Sequence, residues 1–260
     1  MMRALEGRGA VITGGGRGIG AAVARAMAAA GAAVLVAART ASELEHVAGE
    51  LRAAGATAFA CECDVTSESS VAALGAEARR RFGHAGILVS NAGTAASSPL
   101  AQLSLAAWNH AMAVNATGAF LCARELVPEM AARGWGRVVH VASIAGLEGG
   151  KYIAHYCAAK HAVVGLTRAL AAEFHGTGVT FNAVCPGYVD TALAARAIEN
   201  VSQRTGLPRE RAEAAVLASA GQERLIRPEE VAAEVVRLCL PESGGITGQA
   251  VRLAAGASAQ

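Results

Sequence analysis

Short apolar runs alternate with amphipathic helical stretches along the chain, and this alternation predicts its fold. The first apolar run, 9–13, leads into the glycine-rich segment 14–20, and an alanine-rich helical pattern at 21–30 precedes a second apolar run at 33–38. A strand, a glycine turn, a helix and a second strand make a βαβ unit. Segment 9–38 therefore has the pattern from which parallel sheets are built.

The alternation continues after this unit. Further strands are predicted at 58–63, 86–90, 136–142, 179–185 and 249–253, and helices at 41–54, 68–82, 100–133, 152–175 and 228–240. Segment 190–226 is predicted to be mostly helical, with a break near 206–208. The whole pattern predicts an α/β protein with a doubly wound parallel sheet, or Rossmann fold, in a single domain over residues 1–260. In such sheets, ligands bind beyond the carboxyl ends of the strands.

Composition narrows the class of protein. Of the 260 residues, 53% are hydrophobic and 17% are charged, which is enough apolar material for a large core. A net charge of +2 without a basic block gives no indication of nucleic-acid binding. Charged residues and glycines interrupt the apolar stretches before the ~18 residues of a membrane span, and no signal-peptide pattern is present. The six cysteines are scattered and no histidine pair completes a zinc set. We therefore expect a cytoplasmic protein with no metal site, no membrane span and no nucleic-acid partner.

The glycine-rich segment is the first candidate for chemistry. Gly14, Gly18 and Gly20, with Arg17 and Ile19 between them, follow a strand and open a helix. Glycines allow the backbone to turn sharply and to approach a pyrophosphate, which then lies at a helix N-terminus. A tight turn without a ligand is the alternative. The position in the first βαβ unit favours dinucleotide binding.

The end of the second predicted strand distinguishes NAD from NADP. NAD sites usually carry an acidic residue there, which accepts a hydrogen bond from the 2′-hydroxyl of the adenosine ribose. Here Arg39 and Thr40 follow the strand, and the first acidic residue is Glu43. Arg39 can pair with a 2′-phosphate, and Arg17 can supply a second positive charge. We therefore predict NADP as the cofactor, with NAD possible and ordinary surface arginines as the alternative.

Other strand ends place polar and small residues on the same rim. Asp64 and Val65 follow the third strand, where a carboxylate can accept from the adenine amino group or cap the next helix. After the fourth strand come Asn91, Ala92 and Gly93, where the glycine allows a close approach of the backbone to a cofactor or forms a simple turn.

Tyr156 and Lys160 are the candidate acid–base centre. They lie four residues apart, so on a helix both side chains project from one face. A lysine ammonium near a phenol favours the phenolate, so we expect the pKa of Tyr156 to lie below its usual value of about 10. Ser143, at the end of the fifth strand, can hydrogen-bond a substrate carbonyl or serve as a turn residue. Asn115, inside a helical pattern, is either a surface residue or a group that holds a water.

Together these motifs resemble the short-chain dehydrogenase/reductase family. The match runs from about residue 7 to 256 and includes the glycine turn, Asp64, the Asn91-Ala92-Gly93 segment, Asn115, Ser143, the Tyr156–Lys160 pair and Pro186-Gly187. The resemblance implies an NAD(P)-dependent oxidoreductase with a catalytic tetrad of Asn115, Ser143, Tyr156 and Lys160.

The resemblance also implies a role for each site residue. Ser143 orients the carbonyl, Tyr156 exchanges the proton, Lys160 lowers the tyrosine pKa and binds the nicotinamide ribose, and Asn115 anchors a water in the proton relay. Pro186, Gly187 and Val189 flank the nicotinamide, with Thr191 near its carboxamide. Family members usually form tetramers through the helices that match 100–133 and 152–175.

Substrate expectations come from the segment 190–226, which the resemblance identifies as a helical substrate lid. It is longer than in the fatty-acid 3-oxoacyl-carrier reductases and is similar to that of polyketide ketoreductases, 3-hydroxybutyrate dehydrogenases and alicyclic hydroxyacyl-CoA dehydrogenases. We predict an NADP(H)-dependent ketoreductase that acts on a 3-oxoacyl or 3-hydroxyacyl thioester linked to CoA or a carrier protein. One alternative is an NAD-linked catabolic dehydrogenase of 3-hydroxybutyrate or a cyclic hydroxyacyl-CoA, and a remote one is an inactive cofactor-binding partner subunit. Five cations could meet an anionic substrate or a CoA phosphate, or lie on the solvated surface: Lys151, Arg196, Arg204, Arg209 and Arg211.

Overall fold

Seven parallel strands form one sheet in the computed structural model, which describes residues 3–255. The strands are β1 (Gly9–Thr13), β2 (Ala33–Ala38), β3 (Ala58–Glu62), β4 (Ile87–Ser90), β5 (Gly136–Val141), β6 (Val179–Pro186) and β7 (Ala250–Leu253). Their order across the sheet is β3-β2-β1-β4-β5-β6-β7. The order reverses between β1 and β4, and the carboxyl ends of strands at such a reversal are the usual ligand site of a doubly wound sheet. The predicted fold is confirmed.

Nine α-helices connect or cover these strands among residues 3–255. They are α1 (Gly18–Ala29), α2 (Ala41–Ala53), α3 (Glu68–Phe82), α4 (Leu105–Met112), α5 (Gly118–Ala132), α6 (Ala154–Glu173), α7 (Ala192–Thr205), α8 (Arg209–Ser219) and α9 (Pro228–Cys239). None of them is long and apolar enough to cross a membrane.

Both faces of the sheet are buried beneath helices, as its apolar strands require. Along β1, Ile12 faces the core formed with α1 and α9, whereas Val11 faces the core formed with α3 and α5. This alternation follows from the two-residue period of a strand. The strands are thereby fixed between two layers of helices, and their carboxyl ends provide a rigid rim for a site.

The structure corrects two predicted helices. Segment 100–133 is divided into a 3₁₀ turn (Leu100–Gln102), α4, a π-helical turn (Ala113–Thr117) and α5. The division begins at Ser104, whose hydroxyl accepts a hydrogen bond from the backbone N–H of Ala107 and so starts α4 afresh. The helix predicted from residue 152 begins at Ala154, because Tyr152 has a positive φ of 65° and cannot be helical.

The segment 190–226 contains α7 and α8, which pack against each other, and the predicted break lies between them. Gly206 ends α7 with a positive φ of 71°, and the hydroxyl of Ser202 donates to the carbonyl of Leu207 at 2.7 Å. Val189 and Ile226 form a parallel β-bridge at the base of the segment. Both ends of this helical pair are therefore fixed beside the end of β6.

Candidate active site

A cleft of about 1490 Å³ opens along the carboxyl ends of the strands and continues beneath α7 and α8. Nearly all the site residues predicted from the sequence line it: Gly14, Arg17, Gly18, Ile19, Arg39, Thr40, Asp64, Val65, Asn91, Ala92, Gly93, Asn115, Ser143, Tyr156, Lys160, Pro186, Gly187, Val189 and Thr191. Gly20 is the exception, because it lies behind the glycine turn. The cleft is large enough for a dinucleotide and a substrate together.

The glycine turn is held in shape by its own close contacts. Gly14 and Gly18 adopt φ values of 64° and 52°, which favour glycine. A side chain at Gly20 would overlap the carbonyl of Gly14, so Gly20 keeps the turn compact. The amide of Asn91 donates to the carbonyls of Thr13 and Gly14 at 3.0 and 3.1 Å and fastens the turn to β4. Asn91 therefore shapes the turn, and its predicted contact with a cofactor remains a prediction.

The N-terminus of α1 has the properties of a phosphate site. The first turn contains no acidic residue, and Arg17 at the N-cap makes no side-chain capping bond. The backbone N–H groups of this turn and the positive end of the helix dipole therefore have no carboxylate on α1 itself to satisfy them, and the Glu43 carboxylate of α2, which also lines the cleft, pairs with Arg17. Thr191 lies directly beside this turn, since its methyl group would be only 3.2 Å from a β-carbon at Gly18.

Positive charge gathers at the end of β2. Arg17 forms an exposed ion pair of 3.2 Å with Glu43, with 66% of the arginine side chain exposed. Such exposed pairs are weak, so a phosphate can compete for this guanidinium. Arg39 has no carboxylate within salt-bridge distance among residues 3–255. No acidic residue stands at the end of β2 to accept from a 2′-hydroxyl, so these side chains fit a 2′-phosphate.

Asp64 acts as the cap of a turn and also lines the cleft. Its Oδ1 accepts from the backbone N–H and the hydroxyl of Thr66 at 2.9 and 2.8 Å, and these bonds hold the pKa of Asp64 below its usual value. Arg39 contributes a smaller electrostatic effect in the same direction. Because both bonds use Oδ1, Oδ2 keeps its lone pairs for an amino group in the cleft. The two roles predicted for Asp64 are therefore compatible.

The Tyr156–Lys160 pair lies on one face of α6, as predicted, but its electrostatics differ from the prediction. The Nζ of Lys160 donates to the carbonyl of Val141 at 2.9 Å and lies 5.7 Å from the centroid of the Tyr156 ring. Burial raises the pKa of Tyr156 to about 12, against a smaller lowering by the Ser143 hydroxyl. Burial also lowers the pKa of Lys160 to about 8. The expected lowering of the tyrosine pKa is wrong for the protein on its own, because desolvation of the phenol is the largest influence and Lys160 is not among the groups that shift this pKa.

Asn115 is buried in the π-helical turn and is heavily hydrogen-bonded. Its Nδ2 donates to the carbonyls of Thr94 and Ala111 at 3.0 and 2.9 Å, and its Oδ1 accepts from the backbone N–H of Thr94 at 3.2 Å. One lone pair of Oδ1 is left for a water. A β-carbon at Gly93 would lie only 2.9 Å from Oδ1 and 3.7 Å from the Nζ of Lys160, so the glycine permits this close packing.

Gln222 supports the cleft from behind Gly187 and Tyr188 without lining it, and the sequence did not reveal this role. Its side chain is buried, with Oε1 accepting from the backbone N–H of Tyr188 at 2.6 Å and Nε2 donating to the carbonyls of Tyr188 and Arg224, each at 3.2 Å. A side chain at Gly187 would collide with this glutamine. Gln222 thus joins the end of the helical pair to the end of β6. Its partner lies 34 residues away, and no local pattern signals such a contact.

The five candidate cations separate into two groups. Lys151, Arg196 and Arg204 line the cleft, whereas Arg209 and Arg211 do not. No group of three His, Cys, Asp or Glu side chains within residues 3–255 is arranged to hold a metal ion.

Comparison with known proteins places these features in context. The sequence model of the short chain dehydrogenase family matches residues 8–202. A putative ketoacyl reductase from Streptomyces coelicolor is 37% identical over 249 residues, which cover 95% of each chain. A cis-4-hydroxycyclohexanecarboxylate dehydrogenase from Sinomonas cyclohexanicum is 41% identical over 250 residues, again 95% of each chain. The crystal structure of a variant of actinorhodin polyketide ketoreductase with NADPH superposes with a TM-score of 0.92, at 37% identity over 96% of each chain.

Proposed function

The chain belongs to the short-chain dehydrogenase/reductase family, and from that premise we propose that it is an NADP(H)-dependent ketoreductase that interconverts 3-oxoacyl and 3-hydroxyacyl thioesters. The observation that carries the proposal is the presence of Arg17 and Arg39 in the same cleft as Ser143, Tyr156 and Lys160, with Arg39 directly after β2, where NAD sites usually carry an acidic residue. The similarity to ketoacyl reductases, one of them crystallised with NADPH, supports it.

Each polar group then has a defined task. The bound nicotinamide supplies the hydride to the carbonyl carbon. Tyr156 donates its phenol proton to the carbonyl oxygen, and Ser143 donates a hydrogen bond that holds this oxygen and stabilises its developing charge. Lys160 adds a positive charge beside the phenol, and the tyrosine recovers its proton through a chain that ends in solvent.

Burial keeps the phenol of Tyr156 protonated in the protein alone. With its pKa raised to about 12 by burial, the phenol is protonated across the neutral range. A protonated phenol can act at once as the acid of a ketone reduction, whereas oxidation of an alcohol needs the phenolate as base. Tyr156 can therefore act as the acid of a reduction, and the phenolate that the reduction leaves is the base of the reverse oxidation.

Initial rates with 3-oxobutanoyl-CoA test the proposal directly. We expect NADPH to be preferred over NADH, and we expect Arg39→Ala to reduce that preference by about tenfold, because one charge-assisted contact to the 2′-phosphate is lost. A preference for NADH of tenfold or more would show that Arg17 and Arg39 do not read a 2′-phosphate.

Replacing Tyr156 by Phe tests the chemistry. The variant should lose turnover by more than about a hundredfold and still bind NADPH, because only the proton donor is removed. Tyr152→Phe removes the same hydroxyl from a 60% exposed tyrosine that also lines the cleft, and it tests whether the loss is specific to Tyr156. Turnover by Tyr156→Phe at the wild-type rate would contradict the proposed role of Tyr156 as proton donor. An inactive wild type that still binds NADPH would favour a cofactor-binding partner subunit instead.

A second candidate is an NAD-linked catabolic dehydrogenase of a cyclic or short hydroxy acid. The similarity to the dehydrogenase from Sinomonas cyclohexanicum, at 41% identity, favours it. Oxidation of cis-4-hydroxycyclohexanecarboxylate with NAD, faster than reduction of 3-oxobutanoyl-CoA with NADPH, would select this candidate.

The assembly is proposed to be a cytoplasmic homotetramer. Leu105 and Trp108 on α4 are 73% and 36% exposed, and Phe120 on α5 is 42% exposed. Apolar side chains of this size in one region are typical of an interface between subunits. Light scattering should give four times the mass of one chain, and Leu105→Glu should lower it. A monomer at micromolar concentration would exclude this assembly.

A further inference from the structure

Tyr152 has a strained backbone and lines the cleft. Its φ of 65° lies in the left-handed region, and within residues 3–255 it is the only residue other than glycine with a positive φ. This conformation costs free energy for a tyrosine, whereas glycine adopts it freely and asparagine adopts it several times more often than most side chains. Strain of this kind persists where the surrounding structure fixes it, and it is concentrated at functional sites.

The surrounding structure holds the backbone of Tyr152 on both sides. Its carbonyl accepts a hydrogen bond of 2.7 Å from the backbone N–H of Ser98, and α6 begins two residues later at Ala154. The bond to Ser98 joins loop 147–153, which follows β5, to segment 94–99, which follows β4. Most residues of both stretches line the cleft, and we name them together the tyrosine wall.

The ring of Tyr152 contributes little to the core of the protein. Tyr152 is 60% exposed, so burial of its side chain does not offset the strain of its backbone. All three tyrosines of the chain line the cleft, whereas no phenylalanine or tryptophan within residues 3–255 does. Tyr156 and Tyr188 are half-buried, so Tyr152 presents the most open aromatic face in the cleft. This face is available to a ligand.

The side chains beside Tyr152 on the tyrosine wall are mostly small and uncharged. The segment after β4 lines the cleft with Thr94, Ala95, Ala96, Ser97 and Pro99. In the loop after β5, the carboxylate of Glu148 is paired with Arg252 of β7 at 3.2 Å, and Lys151 supplies a cation. Small side chains next to an open aromatic ring leave room for an apolar group that is wider than a straight chain.

The tyrosine wall lies close to the carbonyl that reacts. Along the chain, loop 147–153 lies between Ser143 and Tyr156, the two residues that hold the carbonyl oxygen in the proposed reaction. Four residues span at most roughly 14 Å even when extended, so the Cα atoms of Tyr152 and Tyr156 lie within that distance of each other. A group on the carbonyl carbon is therefore within reach of the Tyr152 ring.

We propose that Tyr152 is a specificity-determining residue, whose exposed ring packs against an apolar ring carried on the reacting carbonyl carbon. This proposal rests on the proposed ketoreductase function, and it specifies the acyl group of the thioester. An aromatic face gains from contact with another ring beyond the apolar area that the contact buries. The methyl group at the same position of a 3-oxobutanoyl thioester is too small to cover this face.

The test compares thioesters of N-acetylcysteamine that differ only in the acyl group. The ring substrates are 3-oxo-3-phenylpropanoyl and 3-cyclohexyl-3-oxopropanoyl thioesters, and the reference is the 3-oxobutanoyl thioester, all reduced with NADPH. For each ring substrate, kcat/KM divided by the value for the reference is the ring ratio. Because every variant is compared with the wild type on the same substrates, differences in their intrinsic reactivity cancel.

Substitutions of Tyr152 separate its ring from its backbone. Tyr152→Asn removes the ring and keeps a residue that tolerates the left-handed conformation, so we expect the ring ratio to fall about fivefold. Tyr152→Gly should lower the ratio to the same extent. Tyr152→Phe is the matched control, because it keeps the ring and should keep the ring ratio within about twofold of the wild type.

Two further measurements on Tyr152→Asn distinguish substrate contact from a structural role. Its thermal unfolding should occur at the wild-type temperature or above it, because the substitution removes an exposed ring and relieves strain. Light scattering should give the wild-type mass. A lower unfolding temperature or a smaller mass would overturn the proposal, because the ring would then serve the fold or a contact between subunits.

The kinetic outcomes separate the proposal from the function on which it rests. If Tyr152→Asn has the wild-type ring ratio with both ring substrates, or if Tyr152→Phe loses the ratio as the asparagine variant does, the proposal is wrong and the ketoreductase function stands. If the wild type reduces none of the three thioesters with NADPH, the proposed function is refuted, and the proposal with it.

Discussion

Replacing the buried Lys160 by methionine should stabilise the fold and abolish turnover. The lysine is 5% exposed, and its ammonium has one hydrogen-bond acceptor, the carbonyl of Val141. Methionine has a similar length and no charge, so it can occupy the same space without the cost of desolvation. The substitution therefore separates what the charge costs in stability from what it contributes to the reaction.

The magnitude follows from the pKa of Lys160. A fall from 10.5 to about 8 on folding corresponds to about 3 kcal/mol of unfavourable free energy for the charged form at neutral pH. The variant loses the hydrogen bond to Val141, which costs roughly 1 kcal/mol. The net gain of roughly 2 kcal/mol should raise Tm by about 5 °C for a chain of this length.

The pH dependence of the stability difference between Lys160→Met and the wild type identifies the buried charge as its cause. The folded pKa of Lys160 lies below its unfolded value of 10.5, so between pH 8 and 10.5 the unfolded chain binds more protons, and wild-type stability gains from rising pH. The advantage of Lys160→Met should therefore shrink by about 1.4 kcal/mol per pH unit above pH 8. Buried cysteines, whose pKa values burial raises, act in the opposite direction. They are the same in both proteins and cancel in the difference.

Urea denaturation of both proteins at pH 7, 8 and 9, at one protein concentration, measures this difference. Lys160→Arg is the control, because it keeps a charge in the same pocket and should not be stabilised. The reasoning fails if the methionine variant is less stable than the wild type at pH 7, or if the difference between them is the same at pH 7 and pH 9.

Three further predictions concern groups around the site. Burial lowers the pKa of His140 from 6.5 to about 4, so the wild type should lose about 1.4 kcal/mol of unfolding free energy per pH unit between pH 6.5 and pH 4 because of this residue. In His140→Leu, urea unfolding midpoints measured over the same pH range should fall less steeply. Gln222→Leu should raise the KM for the thioester severalfold by freeing the base of the helical pair, whereas Gln203→Leu, on the exposed side of α7, should leave KM as it is. Gly20→Ala should weaken NADPH binding by at least about tenfold in a fluorescence titration, because its methyl group meets a carbonyl of the glycine turn, while Gly165→Ala, with open space around it, should bind normally.

Much of the fold was predictable because its signals are local. Apolar runs and the helical period place all seven strands within two residues of their observed ends, since the central strands are buried on both faces and the edge strands β3 and β7 are still partly buried. The region 100–133 was predicted as one helical region and not as separate helices. The cap at Ser104 and the π-helical turn around Asn115 leave the apolar pattern nearly continuous, so the pattern does not show the division. The period of the hydrophobic residues locates a helix well, but it does not show where α-helical hydrogen bonds give way to those of a π-helical turn.

The residues of the site likewise fall into those that local sequence signals predict and those that only the folded chain brings together. The cleft collects the predicted residues because each follows a strand end, and parallel strands end on one side of the sheet. Gln222 escaped prediction because its role consists of bonds to the backbone of Tyr188, which only the folded chain brings near. The role of Asn91 was also broader than predicted, since its amide is occupied by the carbonyls of the glycine turn.

The pKa of Tyr156 shows why residue type and spacing do not determine a protonation state. Spacing places Lys160 beside the phenol, but a carbonyl at the end of β5 takes the ammonium as its donor, and burial then raises one pKa and lowers the other. Both shifts favour the neutral forms, which desolvation always prefers. The protein alone therefore holds a proton donor ready for reduction, and a phenolate becomes accessible only when additional positive charge enters the cleft.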